Sequence, residues 1–277
     1  MNTGYIACLI GLGQLAAECA DAGVCRLSQT GHGQDHRWRT ELGLGYANGD
    51  NLDNVSYTTI TPRLAFRPWT SGELRVELPF LSLSGDQGDA QGVSDALMSY
   101  EQRVFDRHRT QISVLAGLRL PTGDDNVNPG LSQGYQLGLG TLDVLAGVSC
   151  QWRAITLALA YQHVGGENNL AGVHLERGND CAVSCDVAPQ WSAWSPRLGV
   201  VAVQRLEESQ IDDGSGGRIA VADSDGLQVN LRGGLSWMVH RQISLDVSVA
   251  KALLSRDSNV DGLTRSSAIS AGISATF

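Results

Sequence analysis

Charged residues recur at every second position in several stretches of this chain: Arg39 and Glu41; Glu73, Arg75 and Glu77; Glu101 and Arg103. Arg63, Arg119 and Asp143 stand alone in stretches of the same character. A spacing of two puts side chains on one face of a β-strand, so these charges are expected to share that face with Gly, Ser and Thr while Leu, Val and Ile take the other. The chemistry such a face offers is ion pairing. With Arg197, Arg205, Arg232, Asp186 and Asp246 added, eight guanidinium groups oppose seven carboxylates. A one-sided ring of charge would mark an ion-selective pore; near balance points instead to side chains that pair across an enclosed space.

Other chemistries are poorly supported. His163 sits on an apolar face, and Gly165 stands two residues on, where a serine nucleophile would be needed. His32, Asp35 and His36, with Cys25 upstream, match no zinc spacing and read as part of a polar leader. Beyond the expected signal peptide, Cys25, Cys150, Cys181 and Cys185 are too few for a disulfide framework in a chain this long, and Cys181 and Cys185 lie about 13 Å apart along one extended strand. No catalytic residue, cofactor or metal is expected. The net charge of -9, with Lys251 the only lysine, argues against a nucleic-acid partner.

The elements that position the charges are strands throughout. Ile269, Ala271, Ile273, Ala275 and Phe277 alternate with Ser266, Ala268, Ser270, Gly272, Ser274 and Thr276, and similar alternation recurs from Trp38 onward. Twelve strands can be laid out, the eighth placed at Cys181 to Trp191 because an even count demands it. The sixth is set at Leu137 to Trp152. Mean hydropathy is -0.09 and no apolar run is long enough for a membrane helix, yet alternation of this kind is the signature of a membrane β-barrel. Connections alternate between tight turns bearing Arg67, Arg107, Arg109, Arg153 and Arg241 and long loops rich in Asp and Glu, among them Gly85 to Gly92, Gly165 to Asp180 and Glu207 to Asp225. The fold class expected is therefore all-β: an antiparallel transmembrane barrel over 37–277. Residues 1–22, with a short apolar core and Ala20-Asp21-Ala22, read as a signal peptide, and 23–36 as a flexible periplasmic lead-in.

The closing strand resembles that of bacterial outer-membrane barrels, in which the terminal aromatic, here Phe277, is the signal read by the barrel-assembly machinery. Gly92-Val93-Ser94-Asp95, Leu120-Pro121-Thr122-Gly123-Asp124 and Gly138-Leu139-Gly140-Thr141-Leu142-Asp143 resemble the repeated signatures of the outer-membrane barrel family named for the meta-pathway of phenol degradation. That resemblance implies a passive channel for small hydrophobic or aromatic solutes. Its partners would be outer-membrane lipid, the assembly machinery and the solute. Arg39, Glu41, Arg63, Glu73, Arg75, Glu77, Glu101, Arg103, Arg119 and Asp143 are then expected to line the lumen and set its constriction, with Arg75 at the centre. The competing reading is a structural or adhesive barrel whose acidic loops bind divalent ions. On fractionation the protein is expected in the outer membrane with heat-modifiable gel mobility; recovery from the soluble periplasm without that mobility shift would overturn the barrel.

Overall fold

The computed structural model describes residues 37–49, 55–131, 133–170, 173–212, 216–256, 258, 260 and 265–277. The signal-peptide and lead-in assignments, and the loop acids Asp50, Asp53, Asp213, Asp257 and Asp261, fall outside them. Its strands are β1 (Trp38–Gly49), β2 (Ser56–Trp69), β3 (Gly72–Glu77), β4 (Phe80–Gly85), β5 (Gly88–Val93), β6 (Ala96–Arg107), β7 (Thr110–Leu120), β8 (Leu142–Trp152), β9 (Ile155–Gly165), β10 (Asn168–Leu170), β11 (Val173–Glu176), β12 (Asp180–Val187), β13 (Trp194–Arg205), β14 (Gln210–Asp212), β15 (Arg218–Ala220), β16 (Leu227–His240), β17 (Ile243–Leu254) and β18 (Arg265–Thr276).

Each wall strand pairs antiparallel with its sequence neighbours, and β1 also pairs with β18, from Arg39 opposite Thr276 to Gly49 opposite Arg265. The sheet is thereby closed. β3 and β4 are two halves of one strand, since both pair with β2 on either side of Leu78 and Pro79; β5 and β6 form its partner in the same way. Counted so, the barrel has twelve strands.

Side chains sort as a period of two requires. Leu42, Leu44, Ile60, Leu64, Val76, Val114, Val144, Val148, Leu157 and Leu159 are exposed on the exterior, while Arg39, Arg63, Glu77, Ser113, Arg119 and Asp143 are buried within. An exterior this apolar on a closed sheet belongs in hydrocarbon, where only closed barrels and helices satisfy every backbone polar group. No described helix is long and apolar enough to cross a membrane. Short turns join the strands at one end, called here the turn end; at the other, the loop end, the connections are long except for Asp86 and Gln87 between β4 and β5.

The wall departs from expectation in five places. The expected loop from Gly85 to Gly92 narrows to Asp86 and Gln87, because β4 and β5 stay paired as far as Gly85 opposite Gly88. The strand expected from Leu137 starts only at Leu142; Leu137 and Leu139 look apolar enough for a strand but are buried inside the barrel instead. The strand expected to reach Trp191 stops at Val187, short of Pro189, which has no N–H to give a ladder. A register shift between Arg103 and Phe105 exposes both Val104 and Phe105. Finally, the loops expected at Gly165 to Asp180 and Glu207 to Asp225 contribute hairpins β10–β11 and β14–β15, which pair through β11 and β14 into a separate four-stranded sheet. Single cysteines on β7 test the wall directly: position 114 is expected to react from lipid and position 113 from water, and the reverse would show a one-residue slip.

Candidate functional site

Of the charges expected to line the lumen, Arg39, Arg63, Glu73, Glu77, Glu101, Arg119 and Asp143 are buried, and they form separate groups. At the turn end, Glu73 receives three guanidinium groups: Arg39 at 2.8 Å, Arg67 at 3.0 Å and Arg75 at 2.7 Å. Arg39 also lies 2.8 Å from Glu41, and Arg63 joins Glu41 at 3.5 Å to Glu77 at 3.0 Å. Glu101, buried, stands opposite Glu73 across the β3–β6 pairing. The network therefore converges on Glu73 rather than on Arg75, and it includes Arg67, which had been assigned to a turn. Arg103 stands apart, 2.9 Å from Asp106 beside the turn that follows β6.

Arg119 and Asp143 belong to a second group towards the loop end. Asp143 is fully buried and is paired with Arg119; it also accepts hydrogen bonds from Arg177 at 2.9 Å, Gln162 at 2.6 Å and Thr141 at 2.8 Å. One row further round, Asp180 is held by Arg205 at 3.2 Å and Arg256 at 3.1 Å. Arg177 and Arg256 come from loops, so periodicity gave no reason to place them inside; the available signal was a basic residue within an acidic connection. A third pair joins Arg232 to Asp186. Taking two charges out of water costs several kcal/mol each, so these groups chiefly satisfy one another.

Between the charged groups an apolar band crosses the lumen wall from β7 to β13. Leu115, Gly147, Ala160, Ala182 and Val203 follow one another in register across β7, β8, β9, β12 and β13. Leu97, Leu145 and Val201 complete a buried cluster with Ala160, Ala182 and Val203. Its loopward neighbours in the same register are Gln162, Asp180 and Arg205. One half of the wall thus carries the Glu73 network and the other an apolar band.

The connection 121–141 folds into the mouth of the barrel. Tyr135, fully buried, and Leu137 pack on Tyr57, Leu81, Leu83, Ala47 and Ala268 of the wall. The three motifs noted in the sequence meet at its base. The Asp95 carboxylate accepts backbone N–H groups from Gly123 at 3.1 Å and Leu139 at 2.8 Å, and the Thr122 hydroxyl donates to the carbonyl of Ser94. A Cβ on Gly138 would lie 2.6 Å from the carbonyl oxygen of Gly123, so only glycine admits this approach. These motifs are loop anchors.

His163 lies on the exterior with its Nδ1 2.9 Å from the Asn179 side-chain oxygen. Cys150, Cys181 and Cys185 are free thiols. Among the described residues no group of His, Cys, Asp and Glu is arranged to hold a metal ion.

No protein-family model matches the chain, and no curated protein matches it. Among solved structures, an outer membrane channel from Pseudomonas putida F1 superposes with a TM-score of 0.71 at 14% identity, over 87% of this chain and 96% of that one. The protein is a β-barrel of the outer-membrane type. The barrel is also similar to the KdgM porin, with a TM-score of 0.49 at 9% identity, over 86% of this chain and 99% of that chain. Its exterior and its architecture together place the barrel in the bacterial outer membrane.

Glu73→Ala would leave three guanidinium groups without their shared carboxylate. The expected loss is about 3–5 kcal/mol of barrel stability, read as a lower urea midpoint for the heat-modifiable form. An unchanged midpoint would show that solvent inside the lumen already screens the network.

Proposed function

We propose that the barrel is a passive channel for small, weakly polar or aromatic molecules, a member of the phenol meta-pathway family on the strength of its three motifs. The observation that carries this reading is the apolar band of Leu115, Ala160, Ala182 and Val203 on the lumen wall. These aliphatic side chains pack on one another inside the barrel, so a hydrophobic solute that parts them replaces their contacts with its own, which an ion or a sugar cannot do. The Glu73 network on the other half of the wall narrows the conduit, with Arg39, Glu41, Arg63, Arg75, Glu77 and Glu101 as its constriction. Arg119 and Asp143 act one level higher, at the base of the inward loop.

The reading is non-enzymatic. His163 engages Asn179, and Gly165 supplies no nucleophile.

Two experiments test the proposal. Arg75→Ala is expected to raise single-channel conductance in planar bilayers by loosening the network around Glu73. Ala182→Glu and Val203→Glu are expected to slow uptake of the apolar fluorophore N-phenylnaphthylamine by cells with an intact lipopolysaccharide layer. If wild-type and Arg75→Ala barrels are both silent in bilayers, and expression of the barrel leaves fluorophore uptake unchanged, a structural barrel becomes the better reading.

A further inference from the structure

All six tryptophans of the chain lie at the turn end, on the exterior: Trp38, Trp69, Trp152, Trp191, Trp194 and Trp237. Trp194 stacks on Trp237 with ring centroids 5.0 Å apart. Indole side chains settle at the headgroup level of a bilayer, so this band marks the depth at which the turn end meets lipid phosphates.

Five arginines occupy the same band. Arg37 precedes β1, Arg107 and Arg109 flank the β6–β7 turn, Arg153 forms the β8–β9 turn and Arg241 the β16–β17 turn. All five are exposed, and among the described residues none is ion-paired. The nearby acid Asp106 is taken by Arg103. The Arg153 guanidinium lies 5.0 Å above the Trp152 ring, which holds it against the exterior wall at indole depth. The loop end has the opposite character, with Asp86, Asp89, Asp124, Asp125, Glu207, Glu208, Asp223 and Asp225 in its connections.

We infer that the turn end is a lipid-binding collar selective for anionic glycerophospholipids in the leaflet it meets. A guanidinium at headgroup depth donates two parallel hydrogen bonds to a phosphate and is weakly enough hydrated to do so at the water boundary. A zwitterionic headgroup offers the same phosphate but brings its own ammonium, which the collar repels. The collar is independent of what passes through the lumen. In barrels of this class short turns face the periplasm, so its ligand is the phospholipid of the inner leaflet.

Because every tryptophan lies in the collar, its fluorescence reports on the lipids that touch it. The barrel is reconstituted in dioleoylphosphatidylcholine vesicles containing dibrominated phosphatidylglycerol, and separately in dioleoylphosphatidylglycerol vesicles containing dibrominated phosphatidylcholine. Quenching is expected to give a preference for phosphatidylglycerol of about fivefold or more, the scale set by one basic side chain at a membrane surface. The preference should shrink in concentrated salt. In the variant carrying Arg107→Gln, Arg109→Gln, Arg153→Gln and Arg241→Gln it should fall close to parity while heat-modifiable mobility is retained. Parity in the wild-type barrel, or an undiminished preference in the folded variant, would overturn the proposal. Should the variant fail to fold, the salt series on the wild-type barrel decides: a preference unaffected by salt would count against the guanidinium collar.

Discussion

In hydrocarbon an unpaired sheet edge has no water to bond, and that single constraint fixes most of this molecule. The pairing of β1 with β18 removes the edge. Closure then divides every wall strand into a lipid face and a lumen face, and the period of two leaves each residue only one choice. It also confines the polar side chains to an enclosed space. A guanidinium facing inward must find a carboxylate, a backbone carbonyl or water there, because snorkelling past the wall is not open to it.

The interior solves this problem by segregation. Carboxylates at Glu41, Glu73 and Glu77 gather four arginines on the β1–β3 side, whereas Ala160, Ala182 and Val203 form an apolar band across β9, β12 and β13, with Asp180 paired to Arg205 beside it. Asp143 and Asp180 tie loop-borne Arg177 and Arg256 down onto strands at the loop end. The inward connection uses the same economy: outside its 3-10 turn at Gln133–Tyr135, the backbone N–H groups of Gly123 and Leu139 are satisfied by the Asp95 carboxylate.

Much of the wall was legible in the sequence because period-two patterning survives wherever one face is polar. Strand β7 is the clearest case, with Ser113, Gly117 and Arg119 against Val114, Ala116 and Leu118. Legibility failed where both faces are apolar. Leu97 and Leu115 point inward as surely as Glu101 does, but their residue type says nothing of it and only the parity of polar neighbours such as Ser113 and Ser99 assigns the face. The stretch around Leu137 reads as strand on the same ground, since burial inside the barrel selects the same residue types as a strand in contact with lipid. Spacing also assigns a face and not a neighbour. It put Arg39, Glu73 and Arg75 in one lumen, but only the stagger between β1, β2 and β3 makes Glu73 the carboxylate they share.

The small sheet at the loop end has a consequence for how the exterior is seen. β11 and β14 belong to connections separated by two wall strands, yet they are hydrogen-bonded to each other, and Arg218 bridges Glu167 and Glu176 across them. Asn168 of β10 in turn donates to Gln133 of the inward connection at 2.6 Å. Three stretches far apart in the chain therefore present one surface. An antibody or phage that recognises this surface reads a discontinuous epitope, and a peptide tag spliced into one hairpin alters the face displayed by the others.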